Sequence, residues 1–461
     1  MKTVKFYCRV AACVIGLWIS IGAAIRLEAA AILTNSISSD GNAVIRWNGR
    51  GVLETAGQVA GPWLAISNAV SPFTNQVTSD TTFFRVNQTV DTNSLHKKVM
   101  CGYQGWFRCP GDGASQWIHW SRSTSVVASN TLTVDMWPEM SEYTNKYTVP
   151  GFTYPDGTQA YLFSSQDQGT IDRHFDWMQD YGIDGVWASR FVVSGRSVAV
   201  LSRIQKAANR TGRTFAVMYD MSGQATNTLF SNITADWALV TGGLHVTNDP
   251  RYLHHNGKPV LMIWGFFTDR MTTNLANQII DYFKASGVTL VGGGQWWWRT
   301  DTTPGWSDVF RRFDVYSPWN VGNYYSANGA DYAQTGYWSD DLAAATQAGM
   351  EYLPVIYPGF SWDNLQQLPP GTSKVPRRNG DFLWNQFYAA GNLGLDMAFV
   401  AMFDEVDEGT AIFKVSNTPP TQGYFATYEG MPADWYMRLT AEGTKILAGE
   451  SPNVATIPIL P

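Results

Sequence analysis

From Val99 onward, eight apolar runs of β type recur along the chain, most of them followed by a segment of helical periodicity, and few folds accept that rhythm. The runs are Val99–Phe107, Val186–Phe191, Phe215–Tyr219, Val260–Phe266, Thr289–Gly293, Phe313–Ser317, Leu353–Tyr357 and Met397–Phe403. Amphipathic segments such as Ile171–Tyr181, Val198–Ala208, Leu275–Ala285, Trp338–Ala348 and Asp381–Ala390 lie between them. Strands that alternate with helices pair in parallel, so the expected class is α/β and the expected architecture a (β/α)8 TIM barrel. A long excursion, residues 111 to 168, interrupts the first unit, and Thr133–Trp137 inside it competes as a strand.

The texture before the barrel is different. Ala43–Trp47, Val52–Thr55, Pro62–Ser67 and Thr82–Asn87 are short β-rich runs parted by turn residues such as Ser71-Pro72, which predicts a small all-β module over 32–90. A polar linker follows at 91–98, then the barrel over 99–448 and a tail over 449–461. Residues 1–31 read as an export signal, with Lys2, Lys5 and Arg9 ahead of the apolar run Val10–Ile25 and cleavage near Ala31. The expected location is secreted or periplasmic, with no membrane attachment after cleavage. Losing that segment removes four basic residues and one acid, so the formal charge moves from −6 to −9, a balance unsuited to nucleic acid. Cys101 and Cys109 then remain, as a small disulfide loop or as two buried thiols.

Charged residues make up only 15% of the chain while aromatics reach 14%, which points to a ligand met by rings rather than by charges. Sugars are such a ligand, because their C–H faces stack on aromatic rings and indole N–H groups reach hydroxyls. In a barrel the chemistry gathers at the C-terminal ends of the strands. Those positions carry Tyr103, Gln104 and Trp106, then Arg190, Tyr219 and Asp220, then Trp264, Gln295, Trp296, Trp319, Asn320 and Tyr357. Trp106, Trp120, Trp296 and Trp319 are the expected stacking rings, and Tyr103, Arg190, Asp220, Trp264, Gln295, Asn320 and Tyr357 the other expected sugar contacts. The last run empties into Asp404, Glu405, Asp407 and Glu408 and stops at Gly409. Glu405 and Glu408, three apart on a turning backbone, can present two carboxyls to one side, as acid–base chemistry on a glycosidic bond requires. The stretch could instead be a solvated turn. A calcium loop would space its oxygens differently, and nothing in the sequence points to a metal or a cofactor.

Several motifs resemble the glycoside hydrolase family 71/99-like group, typified by endo-α-mannosidases. They are Gly102-Tyr103-Gln104-Gly105-Trp106-Phe107, Trp117-Ile118-His119-Trp120, Met136-Trp137-Pro138-Glu139-Met140, Phe163-Ser164-Ser165-Gln166-Asp167 and Phe403-Asp404-Glu405-Val406-Asp407-Glu408-Gly409-Thr410. The resemblance covers about residues 97–448 and implies a retaining α-glycosidase with Glu405 and Glu408 catalytic. It implies that Glu405 acts as a base on the sugar's own 2-hydroxyl, and that Glu408 protonates the leaving oxygen and later activates water; the raised pKa is then expected at Glu408. The sequence departs from the pattern at Met218, where the mannosidases carry Glu, with Asp220 two residues on. Asp407 also stands where they carry His. The mannosidase substrate is therefore not carried over.

Three function classes follow: a secreted glycoside hydrolase acting on an oligo- or polysaccharide, an inactive sugar-binding barrel, or a structural surface protein. The presence of both Glu405 and Glu408 favours the first. Arg377 and Arg378 fit either a contact to an acidic glycan or a solvated pair.

Overall fold

The computed structural model describes residues 33–40, 42–47, 50–67, 69–76, 82–192 and 197–461; the expected signal peptide lies outside them. The chain divides into two compact units, one ending at Thr89 and including Gln179–Gly182, the other spanning Val90–Met178 and Ile183–Pro461.

The first unit holds two three-stranded antiparallel sheets. One is built from Thr34–Ile37, Ala43–Arg46 and Phe73–Asn75, the other from Val52–Ala56, Leu64–Ala65 and Phe83–Asn87. Ile45, Leu53 and Phe84 are its buried core, and Trp47, Ile66, Phe73 and Val86 pack around them.

The second unit is the barrel. Its strands are β1 (Lys98–Tyr103), β2 (Gly185–Phe191), β3 (Thr214–Asp220), β4 (Lys258–Phe266), β5 (Thr289–Gln295), β6 (Val315–Trp319), β7 (in two pieces, Glu351–Tyr352 and Val355–Ile356) and β8 (Met397–Val400). All neighbours pair in parallel in that order, and β8 returns to β1 with Met397 opposite Lys98. Pro354, which has no N–H to give the ladder, lies at the break in β7. The piece before it pairs with β6 and the piece after it with β8, so the ring closes across the break. Nearly every strand residue is buried on both faces, as a sheet enclosed by helices demands.

Among the described residues, eight helices alternate with the strands: α1 (Gln168–Asp180), α2 (Ala199–Thr211), α3 (Thr226–Gly242), α4 (Thr273–Ala285), α5 (Trp306–Phe310), α6 (Trp338–Gln347), α7 (Asp381–Asn392) and α8 (Trp435–Leu447), with one further short turn of helix, Asp363–Gln366, ahead of α7. Helix α4 shows the local logic: the Thr272 hydroxyl caps it by accepting from Leu275 N–H, and Ala276, Ile279, Ile280 and Phe283 make its buried stripe. The excursion before α1 folds as loops and one hairpin, Tyr147–Thr153 with Gln159–Leu162. Thr133–Trp137 is not a barrel strand. It is a strap across the end of β8, where Asp135 and Met136 both donate their N–H to Val406 O.

Residues 91–98 are fastened to the barrel floor. Val90 N–H donates to Gly212 O at 2.9 Å, His254 N–H to Thr92 O at 2.6 Å, and Leu95 is 1% exposed. A chain beginning at Val90 keeps those bonds and is expected to fold and to retain the activity of the full protein. Insoluble product, or lost turnover in a folded product, would contradict that expectation. Cys101 and Cys109 are both buried free thiols, so the disulfide alternative fails.

Candidate active site

The acidic stretch leaves β8 as a tight loop. Gly409 has φ +59°, and a Cβ there would lie 2.9 Å from the Ser361 backbone, so the turn that ends the stretch requires glycine. Arg377 holds the loop from beneath, donating to Gly409 O at 2.8 Å and Ala411 O at 2.7 Å. Its guanidinium lies over the Tyr428 and Tyr436 rings. Arg377 is therefore a buried brace; it is neither a glycan contact nor a solvated residue. Arg378 covers the Tyr332 ring and donates to Asp331 O.

Within the loop the four acids do different things. Asp404 turns back to β1, its two oxygens accepting from the Gln104 and Gly105 N–H groups at 2.8 and 2.9 Å. Glu405 is 5% exposed; its Oε1 accepts from the Gln104 side-chain amide at 3.0 Å and its Oε2 lies 3.3 Å from the Thr410 hydroxyl. Asp407 is buried with Oδ2 3.5 Å from His119 Nδ1 and Oδ1 without a partner. Glu408 is half-buried, and among the described residues its shift comes from burial and neighbouring acids.

Burial dominates the electrostatics. It pushes Glu405 well above the usual carboxylate range, with the charges of Glu408, Asp407 and Asp404 adding to the shift. Glu408 is pushed up to about 7 by burial, then by Asp407 and Asp220. Asp404 is also pushed up to about 7, by burial, against the two backbone N–H bonds it accepts. The expectation of a single raised acid at Glu408 is thus corrected, because Glu405 sits deeper and feels three neighbouring acids. Asp407 belongs to the same cluster, since its charge acts on both glutamates.

These raised values set a pH dependence of stability. A carboxyl with pKa near 4.3 in the unfolded chain and about 7 when folded contributes its stability fully below ~4.3 and loses it as pH rises through 7. Thermal unfolding should therefore shift to lower temperature between pH 5 and pH 8. In Glu408→Gln, which cannot ionise, that shift should shrink; an unchanged pH slope would contradict the assigned environment.

The expected sugar contacts separate into two groups by the side of the strand they occupy. Tyr103 points into the core, its hydroxyl 2.8 Å from His174 Nδ1, while Tyr143 takes Nε2 at 2.7 Å; burial holds that imidazole down to about 3 and thus neutral. Trp120 is fully buried, and its indole N–H donates to Phe163 O. Arg190 faces α3, where Nε and Nη2 meet Asp236 at 2.8 and 2.5 Å, and Tyr219 donates to the same carboxylate at 2.8 Å. Gln295 is 1% exposed and ties Thr268 N–H to Asp301. Tyr357 is fully buried and donates to Asn323 O. The polar atoms of all five are engaged with protein partners, and of the five Arg190 and Gln295 also border grooves.

Asp220, Trp106, Trp264, Trp296, Trp319 and Asn320 remain on the mouth side or at its rim. Asp220 acts on Glu408. Trp106 stacks at 3.9 Å on His119 and at 5.4 Å beside Phe191, so its ring is engaged with protein neighbours while its indole N–H is buried without a partner. The Trp264 N–H and Asn320 Nδ2 are likewise buried and unpartnered. Gln104 and His119 are the functional neighbours absent from the expected set. The contact of Gln104 with Glu405 is made across strands β1 and β8, which no local pattern reveals. His119, at φ +62°, was visible only as part of a motif.

Among the described residues, one cluster has metal-ligand spacing: His96, His255 and Glu351 on the barrel floor. Leu95 N–H donates to His255 Nδ1 at 3.1 Å, so Nε2 carries the ring proton and donates to Glu351 Oε1 at 2.8 Å. A metal at that Nε2 would need an imidazolate, so the geometry suits a polar clasp between strand starts. A cavity of about 650 Å³ is walled by Glu139, Lys146, Tyr154, Tyr161, Ser416 and Thr418, but none of the four acids borders it.

No protein-family model and no curated protein matches the sequence. Solved structures do. The GH99 endo-alpha-mannosidase from Bacteroides thetaiotaomicron superposes with TM-score 0.58 at 14% identity, over 77% of this chain and 99% of that one. Its complex with BIS-TRIS-propane gives 0.56 at 14% identity, over 78% and 98%. This is a glycoside hydrolase-like fold. At that identity the likeness is one of architecture, and the roles of individual side chains rest on the geometry above. Among the described residues, no helix is long and apolar enough to cross a membrane.

Proposed function

We propose that this protein is an exported glycoside hydrolase that cleaves an α-linked glycan with retention through Glu405 and Glu408. The observation that carries the reading is the pair itself: two glutamates three residues apart after β8, each raised by burial, with the charge of Glu408 acting on Glu405. Such a pair holds fewer charges than carboxyls near neutral pH, and one protonated beside one ionised carboxyl is what glycosidic cleavage uses.

Roles are carried over from the family resemblance: Glu405 as the base and Glu408 as the acid. Gln104 donates to Glu405 Oε1, which favours the ionised form there against the burial that raises it, and Glu408 at about 7 is still largely protonated below neutral pH. Glu408 then protonates the leaving oxygen as the glycosidic bond breaks. Where the 2-hydroxyl is trans to the leaving oxygen, as in an α-mannoside, Glu405 takes its proton as that oxygen closes on the anomeric carbon. Water, deprotonated by Glu408, opens the anhydro sugar, and the 2-hydroxyl recovers its proton from Glu405. The unpartnered N–H groups of Trp106 and Trp264 and the amide of Asn320 support a ligand rich in hydroxyls, since buried donors without partners are costly unless a ligand satisfies them. Turnover on a panel of α- and β-linked oligosaccharides tests the proposal. Release of sugar from an α-linked member supports it, and turnover confined to β-linked members overturns the linkage.

A further inference from the structure

Among the described residues, five aromatic side chains are more than a third exposed: Trp296, Trp297, Tyr324, Tyr325 and Tyr424. Four of the five come from two consecutive connections, those after β5 and β6, and exposed rings scattered at random would not gather so. The first connection supplies Trp296 and Trp297, packed edge to face at 5.5 Å. The second supplies a hairpin, Tyr324–Ala327 with Ala330–Ala333. A groove of about 290 Å³ lies beside the first connection and the segment just before the hairpin, lined by Phe267, Gln295, Trp296, Trp297, Trp319 and Asn323.

The rings are held in place. Tyr325 stacks on Tyr332 at 5.7 Å, and the Arg378 guanidinium covers Tyr332 at 4.5 Å. Trp296 leans on Tyr337 at 5.3 Å. The groove is also continuous with the mouth, because Trp319 in its wall packs at 5.4 Å against Trp264, whose N–H is among the unpartnered donors. Rigid rings with N–H and O–H edges, in loops with few charges and no exposed large aliphatic residue, suit the alternating C–H and hydroxyl faces of a sugar chain.

We propose that the connections after β5 and β6 form an aromatic platform that binds a long α-linked glycan several sugar units away from the bond being cleaved. The inference rests on the glycosidase reading for its ligand and adds that the substrate is polymeric. A short oligosaccharide fills the mouth alone, whereas a long one gains the Trp297 and Tyr325 faces.

The test uses the full chain carrying Glu405→Gln, titrated calorimetrically with disaccharides and octasaccharides cut from α-mannan and from α-glucan. The octasaccharide of one series is expected to bind at least ~10-fold more tightly than its disaccharide, about the worth of one well-placed ring contact. Trp297→Ala with Tyr325→Ala should erase that length preference, and Trp297→Phe with Tyr325→Phe should restore most of it, which separates ring contact from misfolding. An intact preference in the double alanine variant overturns the platform and leaves the hydrolase standing if the unsubstituted chain turns the same sugars over. Self-association of the unsubstituted chain that the alanine pair abolishes also overturns it, as a protein interface. Failure to bind or cleave any sugar of either series removes both proposals.

Discussion

Glu405→Gln and Glu408→Gln should each lower kcat by roughly 100-fold or more while sugar binding survives, because the amide keeps the shape and loses the proton transfer. The two variants should also differ. A leaving group that departs without help needs no acid, so Glu408→Gln should recover much of its first-step rate on an activated aryl glycoside, read as a burst of aryl release, while the water step that also uses Glu408 stays slow. Glu405→Gln should not, since the base that acts on the 2-hydroxyl is needed whatever leaves. In the unsubstituted protein the rate should fall as pH rises through about 7, where Glu408 loses the proton it donates. Steady-state kinetics on the two substrate types checks all of this. Equal recovery of both variants would contradict the assigned roles, and near-normal activity in Glu405→Gln would return the stretch to a buried structural turn.

Asp236→Ala should destabilise the fold by about 3–5 kcal/mol, the usual cost of leaving one member of a buried pair uncompensated. Arg190 and Tyr219 both point at that carboxylate from adjacent strands, in register with each other, and Arg190 is 3% exposed. Replacing both charged partners with apolar residues, as in Arg190→Met with Asp236→Leu, should recover part of the loss, because no lone charge is then buried. Chemical denaturation measures both effects. A variant Asp236→Ala that unfolds normally but binds sugar poorly would instead place Arg190 in the ligand site.

That contrast shows where sequence reasoning stopped. The strand rhythm and the turn at Gly409 were legible because burial on both faces leaves apolar runs and a left-handed turn needs glycine. The break in β7 at Pro354 was not, since it depends on which neighbour each half pairs with. Helix α3 carries Thr, Asn, Ile and Val, which are poor helix formers, and its place is set by packing. For the site, a strand end is visible in sequence but the side a residue faces is not. Tyr103 and Gln104 are neighbours with opposite fates, one bound to His174 in the core and one to Glu405 at the mouth. Tyr219 and Asp220 divide in the same way between α3 and Glu408.

The charged environment was legible only in part. Four acids in sequence announce crowding, but their depths come from the fold, where the Asp135 strap and the Arg377 brace pull the loop down onto the barrel. Glu405 is buried more deeply than Glu408, and burial raises both.

The stereochemistry of the first turnover tests the central claim most directly. Proton NMR of an α-linked substrate followed from the first minutes should show the α-anomer of the new reducing sugar appearing first, with the β-anomer growing only by mutarotation. The β-anomer appearing first would mean a single displacement by water, and the two-step role of Glu405 and Glu408 would be wrong.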